Sequence, residues 1–277
     1  MSNPYLIEGP ALISFSGGRT SAYMLFKILE ARGGKLPDDV VVAFANTGKE
    51  REETLRFVHE CGSRWGVPVV WLEWRDNDAG FEAVGFNSAS RNGEPFEAVI
   101  SAHNSVPNSF MRFCTEDLKV SVMQSFVRSR GWTRCANPVG LRRDEGKRVA
   151  KQLARNADPK RLWDVLCPLY QAGVGREHVM EFWSEQEFDL QLQPYEGNCD
   201  LCFMKGERIL ERLIRDAPER AEWWITQEER IGWTFKKGRR SYAEMAAHVR
   251  RTPLLPILDP DEEYDAECGL WCPVEAA

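Results

Sequence analysis

Apolar residues in this chain come in short unbroken runs separated by longer amphipathic stretches. Ala11-Leu12-Ile13 leads into Ser14-Phe15-Ser16-Gly17-Gly18-Arg19-Thr20-Ser21, and residues 22–32 then carry a helical pattern. That is strand, glycine turn, helix. Val40-Val41-Val42-Ala43-Phe44-Ala45 is apolar throughout, as in a strand buried on both faces, and it ends at Asn46-Thr47-Gly48. Residues 50–65 predict a helix, with Leu55, Val58 and Trp65 near one face and Glu50, Glu52 and Glu53 in the first turns. Gly66 and Pro68 close it, and Val69-Val70-Trp71-Leu72 is the third strand. Residues 75–110 lack clear periodicity and are rich in Asn, Ser and Gly, so they are expected to be a substrate loop or lid, or a disordered insertion. Beyond them the pattern predicts a helix at 113–131, a strand at 135–141, a helix at 145–155, a short strand or buried turn at 162–169 and a helix at 175–185.

Strands alternating with helices at this spacing imply parallel βαβ units. The expected class is α/β, a doubly wound and mainly parallel sheet with flanking helices. From about Gln191 the texture changes to Pro194, Gly197 and Cys199-x-x-Cys202, with helices at 204–216, 221–229 and 242–251. Residues 1–190 are therefore expected to form the α/β domain, and 191–277 a mostly helical, cysteine-bearing region. In open parallel sheets ligands sit beyond the carboxyl ends of the strands. The glycine loop, Asn46-Thr47-Gly48 and Gly140-Leu141-Arg142-Arg143 each follow such an end and are expected to converge.

Composition narrows the function. A net charge of −6 over 277 residues argues against a general nucleic-acid or membrane binder. It leaves room for a local basic groove at Lys236-Lys237-Gly238-Arg239-Arg240, near Trp223, Trp224 and Trp233. No apolar run is long enough to span a bilayer, and Met1-Ser2-Asn3-Pro4 lacks a signal pattern, so a cytoplasmic protein is expected. In a reducing compartment its eight cysteines are not a disulfide framework. The pairs Cys199/Cys202 and Cys268/Cys272 favour metal, an iron–sulfur cluster or redox chemistry.

The glycine loop has the makings of a phosphate cradle. Gly17 and Gly18 let the backbone approach a ligand, and the following helix start offers N–H groups and a positive dipole end. Ser16, Thr20 and Ser21 add hydroxyls. The loop is neither a Walker loop nor G-x-G-x-x-G. The plain alternative is a Gly-Gly turn with a Ser/Thr cap. Arg142 and Arg143 suit bidentate contacts to phosphate or sulfate and Lys119 a point charge, or the arginines are a surface salt-bridge pair. Cys199 and Cys202 can chelate one ion, or they are free thiols; zinc on Cys199, Cys202, Cys268 and Cys272 is one arrangement. Cys61 and Cys135 read as core residues, Cys167 stays open, and His59, His103 and His178 read as structural or exposed.

Taken together, these pieces resemble a known family. Ser16-Gly17-Gly18-Arg19-Thr20-Ser21 looks like the PP-loop of the adenine-nucleotide α-hydrolase superfamily. Asn46-Thr47-Gly48 with Glu53-Thr54-Leu55, Cys114-Thr115-Glu116-Asp117-Leu118-Lys119, Gly140-Leu141-Arg142-Arg143-Asp144-Glu145 and Pro168-Leu169 resemble, in order, segments of the phosphoadenosine-phosphosulfate reductase family. The resemblance covers about residues 11–185. It implies a HUP-like fold and an adenine nucleotide, either ATP with Mg2+ or a sulfonucleotide. The nucleotide would be held by residues of the glycine loop, by Asn46, Thr47 and Gly48, and by Gly140, with Arg142, Arg143 and Lys119 acting on the developing charge. It also implies a 4Fe–4S cluster on Cys114, Cys199 and Cys202 with Cys268 or Cys272 as fourth ligand, zinc being the alternative. Glu267-Cys268-Gly269-Leu270-Trp271 is similar to the reductase tail, in which the cysteine attacks sulfur and thioredoxin releases the product; Trp271 stands where that tail has His. The loop itself is more like that of ATP-cleaving members, including tRNA-thiolation and DNA-phosphorothioation enzymes. Those imply a sulfur donor such as a cysteine desulfurase and a nucleic-acid acceptor; a homo-oligomer is expected apart from the resemblance. A non-catalytic nucleotide-binding subunit of a DNA-modification or defence complex is the rival class.

Overall fold

The computed structural model describes residues 3–236 and 238–252. Cys268, Cys272 and the tail motif lie outside the described residues, as does Lys237.

Six strands form one sheet in the order β4-β3-β2-β1-β5-β6. They are β1 Ala11–Ser14, β2 Val40–Ala45, β3 Val69–Trp74, β4 Phe81–Val84, β5 Cys135–Pro138 and β6 Trp163–Leu166. All neighbours are parallel except β3 and β4. The strand order reverses at β1, which has β2 on one side and β5 on the other, so the sheet is doubly wound.

The helices are α1 Arg19–Ala31, α2 Glu52–Arg64, α3 Glu94–His103, α4 Phe113–Thr115, α5 Val122–Ser129, α6 Gly146–Ala154, α7 Pro168–Gln171, α8 Arg176–Ser184, α9 Glu207–Asp216, α10 Glu222–Ile231 and α11 Tyr242–Arg251. Alternation along the central strands sorts their side chains between two layers. Ile13, Val42 and Phe44 pack with α1, α2 and α8, whereas Leu12, Ala43 and Ala45 pack with Met123, Phe126 and Val165 on the opposite face. A third cluster joins Leu210, Leu213, Trp224, Phe235 and Tyr242 of the C-terminal region to Phe96, Val99 and Ile100 of α3 and to Leu118. The helical layer thus draws on residues from both sides of position 190. No helix among the described residues is long and apolar enough to cross a membrane.

Two stretches differ from their sequence reading. Residues 75–110 are not one irregular loop, because they contain β4 and α3. β4 lies antiparallel on β3, with Trp71 opposite Val84 and Trp74 opposite Phe81. At four residues its alternation is too short to stand out. The helix expected at 113–131 is interrupted by a π-helical turn, Glu116–Ser121, between α4 and α5. Such turns often mark functional positions, and this one carries Lys119.

Candidate functional site

The glycine loop leaves the carboxyl end of β1 and turns sharply into α1. Gly17 has φ +80°, and a Cβ there would stand 2.6 Å from Thr54 Cγ2. Only glycine fits both the conformation and the space. Gly18 is extended and precedes α1, whose start is capped by no side chain. Ser21 braces the loop from inside: its Oγ accepts from the Ser16 N–H at 3.2 Å, lies 2.9 Å from Ser16 Oγ and donates to Gly18 O at 3.0 Å.

The loop after β5 closes on this turn. A Cβ at Gly140 would lie 3.0 Å from Ser21 Cα, so two backbones meet there in contact. Arg142 is 6% exposed, and its Nη1 donates to Thr20 Oγ1 at 3.1 Å. Its other nitrogens reach Asp144, with Nη2 donating to Oδ2 at 2.9 Å. Burial disfavours charge on that carboxyl, but Arg142 holds it below the usual carboxylate range. The glycine loop and residues 140–142 thus meet where the strand order reverses, the place where open α/β sheets bind ligands.

Two arginines do not join this convergence. Arg143 is exposed and pairs with Glu177 of α8. Arg142 has extended backbone, so the next side chain turns away from it. Arg19 makes a two-pronged pair with Asp189, Nε to Oδ1 at 2.7 Å and Nη2 to Oδ2 at 2.5 Å, and also donates to Leu192 O. Burial alone would raise the Asp189 pKa, but the Arg19 bonds and charge bring it below its ordinary value.

The turn after β2 is held by its own side chains. Asn46 Nδ2 donates to Glu73 Oε1 at 2.6 Å and to Ser90 O at 2.9 Å, and its Oδ1 accepts from Gly48 N at 3.1 Å. Thr47 donates twice to Glu50 Oε2, from N at 2.8 Å and from Oγ1 at 2.7 Å. Lys119 Nζ, arriving from the π-helical turn, lies 3.6 Å from Glu50 Oε1. Sequence reasoning read Glu50 only as a first-turn acid and passed over Glu73, Asn198 and Asp200. Acidic and amide residues beside apolar runs were the available signal, because buried ones need such partners.

The thiol pair sits on a segment strapped across this turn. Arg51 N donates to Asn198 O at 2.7 Å and Asp200 N to Lys49 O at 2.7 Å, and Glu50 and Cys199 form an isolated antiparallel bridge. Asn198 Nδ2 donates to Ser16 O at 2.9 Å, tying the strap to the glycine loop. Cys199 and Cys202 are hydrogen-bonded to one another. That bond and burial push the Cys199 pKa well up, with Glu50 adding to the shift and Lys119 opposing it. Tyr242 O–H donates to Leu201 O at 2.5 Å. Cys114 is half-buried against the third cluster, while Cys61, Cys135 and Cys167 are core residues. Burial drives the Cys135 and Cys167 pKa values up to about 11. Among the described residues no group of three or more His, Cys, Asp or Glu side chains is gathered to hold a metal ion. Cys199 and Cys202 supply a two-thiol start to a soft-metal site that other ligands would have to complete.

The basic loop is split, with Lys236 buried, Arg239 exposed and Arg240 half-buried. Lys236 is buried and donates from Nζ to Lys205 O at 2.5 Å, and burial lowers its pKa to about 8. Arg240 is clasped by Glu207 and Glu211. Trp224 stacks on Tyr242 at 5.2 Å, and Lys49 lies over Trp223, whereas Trp233 is 66% exposed. His59 stacks on Phe86, His103 pairs with Asp117 at 2.6 Å, and His178 Nδ1 accepts from Gly175 N at 3.1 Å.

Fold and site together define an α/β protein with a glycine loop at the switch point of a doubly wound, mainly parallel sheet. No protein-family model matches the chain. An uncharacterized nin-region protein of Escherichia phage lambda is 29% identical over 215 residues, 74% of this chain and 69% of that one. An uncharacterized protein of Methanocaldococcus jannaschii is 26% identical over 227 residues, 79% of this chain and 41% of that one, so the chain spans well under half of that relative. Among solved structures, the U34-tRNA thiolase NcsA from Methanococcus maripaludis, with its 4Fe–4S cluster, is similar at a TM-score of 0.40 and 11% identity. That likeness covers 87% of this chain and 70% of the thiolase.

Proposed function

We propose that this chain is a PP-loop enzyme of the phosphoadenosine-phosphosulfate reductase kind. In this reading it binds an adenine nucleotide at residues 16–21 and cleaves it at the α-phosphate in sulfur-transfer or thiolation chemistry. The observation that carries the reading is the Arg142 guanidinium on Thr20, beside an uncapped helix start, in the crevice between β1 and β5. An anion there meets the N-terminal amides of α1, the favourable end of its dipole and one buried guanidinium. Those groups favour the charge that gathers on a departing pyrophosphate when an acceptor oxygen attacks the α-phosphorus. Mg2+ carried by ATP would add neutralisation of the phosphate oxygens. Lys119, held on Glu50, supplies a further positive charge that is felt at the Cys199 thiol. Cys199 and Cys202, completed by Cys268 and Cys272, would hold a 4Fe–4S cluster or zinc, or handle sulfur directly as thiols.

A second reading is favoured by the tail motif Glu267-Cys268-Gly269-Leu270. It is sulfonucleotide reduction: the Cys268 thiolate attacks the sulfonate sulfur and displaces the nucleotide phosphate, and a thioredoxin-like dithiol, oxidised to its disulfide, then releases sulfite from the enzyme thiosulfonate. The test is to give the full chain ATP with Mg2+, or an adenylyl sulfate with thioredoxin. Pyrophosphate from the first is the expected result. Sulfite from the second, abolished by Cys268→Ser, turns the assignment to the reductase. Failure to bind either nucleotide in equilibrium dialysis overturns both. Purification without oxygen followed by a visible spectrum and metal analysis separates cluster from zinc.

A further inference from the structure

We propose that Asn198 is a positioning residue for the nucleotide loop, so that what occupies Cys199 and Cys202 is coupled to what occupies residues 16–21. The inference rests on the nucleotide site proposed above and adds a dependence between two places that the site alone does not require.

Asn198 is 2% exposed and directly precedes Cys199. Its Nδ2 donates to Ser16 O at 2.9 Å. The carbonyl of Ser16 and the N–H of Gly17 belong to one planar trans peptide, so they point in opposite directions. Holding the Ser16 carbonyl therefore fixes where the Gly17 N–H points, in the turn where amides are wanted for an anion. Asn198 is itself held, because its carbonyl accepts from Arg51 N at 2.7 Å. On the other side, the Glu50–Cys199 bridge and the Asp200 N–H on Lys49 O fasten the thiol segment across residues 49–51. Glu50 carries Thr47, and Lys119 pairs with the same carboxylate. A change at the thiols that shifts the Cys199 backbone thus moves the amide that steers the glycine loop. The dependence runs equally in reverse, since linkage between two sites is reciprocal.

The experiment measures N-ethylmaleimide alkylation of Cys199 and Cys202 in the reduced full chain by peptide mass spectrometry. It is done with and without saturating Mg-ATP, and in parallel with adenosine 5′-phosphosulfate. The expected result is a change in the Cys199 rate of about fivefold or more on nucleotide binding, the low end of ordinary coupling between sites. Asn198→Ala is expected to bind the nucleotide more weakly and to lose this sensitivity. Asn198→Asp, which sets a carboxylate oxygen against the Ser16 carbonyl, is expected to bind more weakly still. The buried Cys61 thiol reports unfolding in every sample. Nucleotide binding by the wild type with unchanged thiol rates overturns the coupling and leaves the nucleotide site standing. So does an Asn198→Ala protein that keeps the full response, since direct shielding would then explain it. If Asn198→Ala does not fold, the wild-type comparison decides. A wild type that binds neither nucleotide overturns the nucleotide site, and the coupling with it.

Discussion

Two positions, Gly17 and Arg142, carry the proposed nucleotide site, and each gives a sharp expectation. Gly17 combines φ +80° with a neighbour 2.6 Å from where a Cβ would lie. Gly17→Ala should therefore cost about 1–3 kcal/mol in stability, read from urea unfolding. It should also abolish nucleotide binding, and retention of both properties would refute the proposed loop geometry. Arg142→Ala removes the guanidinium from Thr20 and should weaken nucleotide binding about tenfold or more, the scale of one charge-assisted hydrogen bond. Arg142→Lys should recover little of it, because a point charge cannot serve Thr20 and Asp144 together. Arg143→Ala should leave binding within about twofold, since its charge is already matched by exposed Glu177. Sequence spacing placed Arg142 and Arg143 beside a strand end correctly. It could not separate them, because their directions depend on the extended backbone at Arg142. The pairing of the Arg19 side chain is hidden from the sequence for a related reason: its partner, Asp189, is 170 positions away.

At the level of elements, the long apolar or strongly amphipathic pieces were legible and the short ones were not. β1, β2 and β3 have continuous apolar runs, and each appears where the sequence places it. β4 is half-exposed and exists because β3 offers it a partner, which no local pattern reveals. α3 was passed over among Asn and Gly residues, although Phe96, Val99 and Ile100 have helical spacing. The π-helical turn was invisible, because Leu118, Val122 and Phe126 recur at the four-residue spacing that an uninterrupted α-helix also gives. The element-scale prediction concerns the tie from α1 to the segment after α8. The folded Asp189 carboxyl has a pKa below that of the unfolded chain, near ~3.9. Its contribution is therefore complete above that unfolded value and is lost as the pH falls through the lower folded one. Asp189→Asn should lower Tm at neutral pH by about 2–4 °C, the effect of roughly 1 kcal/mol in a chain of this size. The gap from wild type should close in acid below pH ~4. A gap that persists unchanged at low pH would show that the pair does not act through charge.

For the molecule as a whole, the apolar clusters decide what can be separated from what. Two clusters lie on the faces of the sheet, but the third mixes α3 and Leu118 with the C-terminal helices. A fragment ending at residue 190 would leave Phe96, Val99 and Ile100 without their cover of Trp224, Leu210 and Tyr242. Such a fragment should bind a hydrophobic dye and unfold without a sharp transition, whereas the full chain should unfold cooperatively. A sharply melting 1–190 fragment would make the sheet region independent. Reading along the chain suggests that division because composition changes at 191, but burial follows proximity in space rather than order in sequence.

The contact between Gly140 and Ser21 bears on what the crevice can admit. A hydrogen at position 140 is the spacer between the β1 and β5 loops, and even a methyl group would act as a wedge. The separation of the two jaws is therefore set by main chain, which has no rotamers to adjust. In the proposed nucleotide site, a gap set this way would select an anion by its bulk as much as by its charge.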